Sequence, residues 1–320
     1  MNEISSGRES LTFPAPPRGE LLVASEKPRD NGLEPHLTWL EFARQLPRPF
    51  QRIFEVTGEA VLLERFIGVD GLDLVRALAD AGRVLPLDVW LSLALRWGEA
   101  LLHVPVGGHG WTTPADLRQL GVDVRGAVVL TFDSPNHVLG RWWVDPQPST
   151  RAGGYGWMPE SISPEAARGR PLTEATRVYG LAVTMLSLLE GRRLFHSTES
   201  VAQMLSDIAR RCIDWGSPRN PACSPELEEV LRRATALTAT ERYTSIPEFL
   251  AVLREAAHVE PANEVRMIDV LLGVSPKMQT CLSSLEESSL PESWKAGGLQ
   301  VVQDKLLERL VGISTLPTAR

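Results

Sequence analysis

His109, Asp116 and Asp133 are side chains of this sequence whose types could do chemistry. An imidazole can move a proton near neutral pH, and carboxylates hold a hard divalent cation. Their neighbours weigh against that use. Trp111, beside His109, has no atom that accepts a proton. Asp133 precedes Ser134-Pro135, a setting in which a carboxylate commonly serves a turn. His103, His109 and His137 match no zinc-ligand spacing and read as structural histidines. Trp142 and Trp143 either anchor a partner, as tryptophan often does at interfaces, or pack under their own loop. Ser149 and Thr150 are two hydroxyls in a Pro-rich loop and are weak grounds for a phosphorylation site.

The elements that must position these groups follow from pattern. Residues 1–35 are polar, carry Pro-Ala-Pro-Pro, and read as a mostly flexible tail with one strand-like run at Gly19-Glu20-Leu21-Leu22-Val23. His36 to Leu46 has helical spacing. Phe50–Val56 and Ala60–Ile67, split by Thr57-Gly58-Glu59, predict a hairpin. Helices are expected over Leu72–Ala81 and Pro86–Leu102, then a loop-rich middle with a strand at Ala127–Phe132. From residue 163 helices dominate. Thr173 caps one that runs to Leu189, and its Val178–Leu189 stretch suits a helix buried on every side. Another runs from Ser197 to near Trp215. Ser224-Pro225 and Ser245-Ile246-Pro247-Glu248 start two more, ending near Leu237 and Ala257. Residues 259–320 read as an appendage, with Leu306 and Leu310 on the apolar side of a helix over 298–311 that would bind a partner, dimerise or fold back.

Composition bounds the function. The apolar fraction of 43% and charged fraction of 23% are those of a globular chain with ample core. A net charge of −7 supplies no basic excess for nucleic acid. Cys212, Cys223 and Cys281 fit neither a disulfide framework nor a zinc site, and imply reduced thiols in a cytoplasm. No signal peptide is expected at Met1–Phe13, and no apolar run is long enough to span a bilayer.

Ser163-Pro164-Glu165 is followed by Arg177-Val178-Tyr179-Gly180-Leu181-Ala182, Gly191-Arg192-Arg193-Leu194-Phe195 and Glu241-Arg242-Tyr243. In this order and spacing the segments resemble the helical lobe of bacterial Ser/Thr protein kinases of the eukaryotic type. Ser163-Pro164-Glu165 looks like the motif closing the activation segment. Phe54 through Phe66 resembles two strands of the small lobe, and Gly68–Leu74 the hinge and the first helix of the large lobe. The resemblance covers about residues 50–257. It implies an ion pair between Glu165 and Arg242 that ties the activation segment to the helical lobe.

The resemblance also locates the catalytic positions, and they are degenerate. No Gly-rich loop precedes residue 36, and Lys27, the one lysine available to face Glu41, sits against Pro28. His109–Leu117 resembles the catalytic loop. His109 is kept, Trp111 replaces the catalytic aspartate, and Asp116 replaces the metal-binding asparagine, where it can still hold an ion. Phe132 stands at the metal aspartate, and Asp133 follows one residue late, on the opposite face of extended chain. Arg177 replaces an aspartate that braces the catalytic loop, and arginine has no acceptor for backbone N–H.

The expected architecture is α+β: a two-lobed protein-kinase-like fold with a tail at 1–35, a reduced β lobe at 36–67, a mainly helical lobe at 68–258 and a helical extension at 259–320. The expected function is that of a pseudokinase, a non-enzyme with no cofactor and no metal site. It would scaffold or regulate protein partners such as an active kinase or an assembly subunit, with no membrane or nucleic-acid partner. Two alternatives stand beside it. One is a divergent ATP-using kinase or transferase carried by His109, Asp116 and Asp133. The other is a subunit docked through the extension.

Overall fold

The computed structural model describes the strands within residues 2–64 at backbone level, together with residues 66, 68–103, 117–131, 161–195, 201–210, 213 and 220–287. In chain order the strands are β1 (Asn2–Ser6), β2 (Glu9–Phe13), β3 (Glu20–Ala24), β4 (Ile53–Val56), β5 (Ala60–Glu64), β6 (Gly68–Asp70), β7 (Leu120–Asp123) and β8 (Val128–Leu130). The helices are α1 (Gly71–Ala81), α2 (Leu87–Leu101), α3 (Pro164–Ala167), α4 (Glu174–Glu190), α5 (Val201–Arg210), α6 (Pro225–Ala234), α7 (Ile246–Ala257), α8 (Glu264–Val274) and α9 (Pro276–Glu287).

The expected hairpin is present: β4 and β5 pair antiparallel with a bulge between Ile53 and Glu55. Two expectations need correction. Residues 1–35 carry more than one strand, because β1 and β2 pair with Ile4 opposite Leu11. β3 pairs with β5, Leu22 opposite Leu62, so the small sheet has the order β3-β5-β4 and reaches back to residue 20. A short run of apolar residues gains its ladder from a distant partner, which composition does not reveal. The helix expected at 36–46 and the one at 298–311 lie outside the described residues.

α4 is the axis of the helical lobe. Every residue from Thr176 to Glu190 is buried, as an uninterrupted apolar stretch requires. α2 crosses it, and the buried indole N–H of Trp90 donates to the Met185 carbonyl at 2.7 Å. α7 closes against α2 at Gly98, where an added Cβ would stand 2.7 Å from Leu250 Cδ1. Serine caps set the helix starts: Ser163, Ser224 and Ser245 accept from Ala166, Leu227 and Glu248 N–H at 3.2, 3.1 and 3.3 Å. The start at Ser245 differs in one detail. Glu248 reaches back to Thr244 N and Oγ1 rather than to the cap residue. α4 ends at Gly191, whose φ of 58° and contact with the Arg83 carbonyl leave no room for a side chain.

Residues 264–287 are part of this lobe, not an appendage. Met267, Leu271 and Met278 are at most 1% exposed and belong to the same core as α2 and α4. The segment before α8 is sewn to α2: Ala262 N donates to the Asp88 carbonyl at 3.0 Å, and Ser92 Oγ to the Ala262 carbonyl at 2.9 Å. Gly126, in the β7–β8 turn at φ 78°, lies where a Cβ would meet the Glu264 carbonyl at 2.6 Å. Cys223 and Cys281 are free and half-buried, and burial pushes the Cys223 thiol up to about 11. Among the described residues no helix is long and apolar enough to cross a membrane.

Candidate functional site

Two of the residues singled out in the sequence meet. Ser163 and Pro164 start α3 and set Glu165 on its first turn. The turn Ala239–Glu241 delivers Arg242, whose side chain is fully buried. Its Nη1 and Nη2 donate to the two Glu165 oxygens at 2.8 and 2.9 Å. Nε donates to the Ala236 carbonyl at 2.7 Å. The remaining Nη donors reach the carbonyls of Ala175 and Leu237 at 3.1 and 3.2 Å. All five N–H groups of the guanidinium therefore have acceptors, and the group lies 4.7 Å from the Tyr179 ring centroid. Burial raises the affinity of Glu165 for a proton, but hydrogen bonds and charge from Arg242 outweigh it. The carboxyl is held below its ordinary value.

Thr176 completes this junction, in a role that no sequence motif marks. Its hydroxyl donates to Glu165 Oε1 at 2.8 Å and accepts from Thr173 N at 3.0 Å, joining α3 to the start of α4.

Arg177 follows directly and is the reverse case. Only 9% of it is exposed. Nη1 donates to Glu174 Oε1 at 2.9 Å, while the buried Nη2 has no acceptor among the described residues. Desolvation lowers its pKa against the opposing effect of Glu174. The first turn of α4 thus presents a buried donor where the resemblance implied an acceptor.

A third cluster was not legible in the sequence. Asp70 caps α1, accepting from Asp73 N at 2.8 Å. Lys277 of α9 lies 3.5 Å from Asp70 Oδ2 and donates to Asp73. Burial, helped by the neighbouring Asp73 charge, pushes the Asp70 carboxyl up to about 6 against the opposing effects of the Asp73 amide hydrogen bond and the Lys277 charge. His109, Trp111, Asp116, Phe132, Asp133, Trp142, Trp143, Leu306 and Leu310 lie outside the described residues, so the structure neither groups nor separates them.

No protein-family model matches the chain. Among curated proteins it is 35% identical over 120 residues to the serine/threonine-protein kinase Pkn1 of Myxococcus xanthus, a match covering 38% of this chain and 17% of that protein. It is 28% identical over 194 residues to serine/threonine-protein kinase F of Synechocystis, covering 60% and 36%. It is 25% identical over 229 residues to the serine/threonine-protein kinase PkaA of Streptomyces coelicolor, covering 66% and 38%. The matches therefore span well under half the length of these relatives. Among solved structures, the kinase domain of Mycobacterium tuberculosis PknI has a TM-score of 0.47 at 18% identity, over 74% of this chain and 84% of that one.

Proposed function

We propose that this chain, a relative of the bacterial serine/threonine protein kinases with their kinase-like fold, is a catalytically inactive member that works by binding other proteins, as a scaffold or regulator in the cytoplasm. The observation that carries this reading is Arg177. The position expected to brace a catalytic loop with an acceptor instead holds a buried guanidinium, whose Nη2 meets no acceptor among the described residues. The fold-holding pair Glu165–Arg242 is complete beside it. Trp111 and Phe132 in the sequence point the same way, since neither accepts a proton or binds a metal ion. Groups that act as one catalytic unit leave little partial function when several are lost.

An active, divergent kinase is the second reading, and it is favoured by the curated relatives being kinases. A thermal-shift titration with ATP and Mg²⁺ or Mn²⁺ separates the two. No stabilisation at millimolar nucleotide is expected. Stabilisation that Asp116→Ala and Asp133→Ala abolish would count against the inert reading, and phosphate transfer from ATP by the same protein would then be the test of the active one. Docking into an assembly through the extension remains compatible with the inactive reading. With 264–287 built into the core, such docking would fall to residues 288–320 or to the exposed face of α9.

A further inference from the structure

β6 carries the chain from β5 of the small sheet into α1 of the helical lobe, and Asp70 stands at the join. It is the last residue of β6, opposite Gly121 of β7, and it caps α1 by accepting from Asp73 N at 2.8 Å. The join has no slack. A Cβ on Gly68 would stand 2.1 Å from the Val122 carbonyl, and one on Gly71 would stand 2.7 Å from the Leu117 carbonyl. Leu72 N donates to that same Leu117 carbonyl at 3.2 Å. The backbone therefore fixes Asp70 beside Asp73, and the two carboxylates cannot part without unseating the first turn of α1.

One ammonium serves both. Lys277 of α9 lies 3.5 Å from Asp70 Oδ2 and donates to Asp73 Oδ2. Arg76 adds a second cation, but toward Asp73, at 3.6 Å from Oδ1. From the side of β7 come Arg118 and Asp123, and Asp123 is taken up by Arg125 Nε at 2.7 Å. α9 also brings the Cys281 thiol, which donates to the Gly68 carbonyl at 3.5 Å. α8 packs on α1 with Asp269, with Glu264 turned to Arg96, and with Arg266 turned to Asp88. α4 meets α1 at its far end, where Gly191 approaches Leu78, next to Glu190. Asp73 is thus the better-served carboxylate, and Asp70, with 17% of its side chain exposed against 28%, is the more buried. Burial raises the proton affinity of both, and the hydrogen bond and charge of Lys277 outweigh it at Asp73 but not at Asp70. A proton on Asp70 removes the repulsion between the pair and leaves Lys277 to Asp73, while the other Asp70 oxygen still caps α1.

We propose that the Asp70–Asp73 pair is a one-proton switch at the interlobe crossing: with Asp70 protonated the first turn of α1 is held closed, and with Asp70 ionised the same turn opens more readily. The sign follows from linkage. Asp70 binds its proton more tightly in the closed turn, so its contribution to closure is full below the ordinary value of 3.8 and is lost as pH rises through about 6. α9 stays seated throughout, because Met278 roots it in the core.

Amide exchange on the full chain, corrected for the intrinsic effect of pH, tests this together with carboxyl-carbon NMR of labelled aspartate. Between about pH 5 and about pH 7.5 the protection of the Leu72 and Asp73 amides is expected to fall by about tenfold, with 178–189 unchanged. Asp70 is expected to titrate near pH 6, at lower pH in Asp73→Asn and at higher pH in Lys277→Met. Asp70→Asn is expected to retain at the higher pH the protection that the wild type shows at the lower. An Asp70 titration below about pH 4.5, one that Asp73→Asn leaves in place, or an equal loss of protection through 178–189 would overturn the switch.

Discussion

Arg242 and Glu165 stand 77 residues apart in the chain and meet through two parallel hydrogen bonds of 2.8 and 2.9 Å, with the arginine side chain fully buried. The pair fastens α3, a four-residue helix with little stability of its own, to the body of the lobe. Because every donor of Arg242 is used, neither partner can be removed alone without leaving a buried charge.

Arg242→Ala or Glu165→Ala is expected to cost about 3–5 kcal/mol of unfolding free energy in urea titrations, and the double variant less than the sum of the two. The pair also predicts an acid limit. The folded-state pKa of Glu165 lies below its ordinary value of 4.5, so its contribution is present above that value and is lost as pH falls through the folded pKa. Denaturation measured from pH 7 to 3 should show a decline on the acid side that Glu165→Gln flattens.

Arg177→Met should be neutral or stabilising, by up to about 1 kcal/mol. It removes a buried guanidinium whose Nη2 has no acceptor among the described residues and keeps the apolar stem. Loss of several degrees in melting temperature would show that Nη2 has an acceptor.

Asp70 carries the opposite pH signature to Glu165. Its folded-state carboxyl, pushed up to about 6 from 3.8, holds its proton more tightly than in the unfolded chain. Its contribution is fullest below about pH 4 and is eroded as pH rises to about 6. Asp70→Asn keeps a capping oxygen and removes that cost. At pH 7.5 it should be more stable than the wild type by about 1–2 kcal/mol, offset in part by the lost contact with Lys277. The advantage should vanish near pH 4 in paired denaturation curves.

Gly126→Ala should destabilise by about 1–3 kcal/mol, through the positive φ and the approach of Cβ to the Glu264 carbonyl. Because that carbonyl opens α8, limited proteolysis should show cleavage within 259–275 that the wild type resists.

What the sequence shows clearly is what lies within one or two turns. Ser163, Ser224 and Ser245 cap helices because a short side-chain oxygen reaches an N–H three residues on, and the apolar stretch in α4 can only be a buried helix. The meeting of Glu165 with Arg242 was legible only through resemblance to a family, because nothing in either segment names the other. Thr176 left no signal at all, since a threonine in a first helical turn usually serves its own backbone. The catalytic positions were readable only as residue types, and they lie outside the described residues.

Local hydrogen bonding and apolar periodicity are encoded within the segment, so the sequence by itself determined the helix starts, the buried axis and the kinase-like order of motifs. Tertiary structure alone decided that β3 joins β5, that α8 and α9 belong to the core, and that Lys277 finds Asp73 across 204 residues. Half-apolar strands and helices can pack in many ways, and an ion pair exists only where packing brings its two charges together. That same packing leaves Arg177 with a donor that nothing among the described residues accepts.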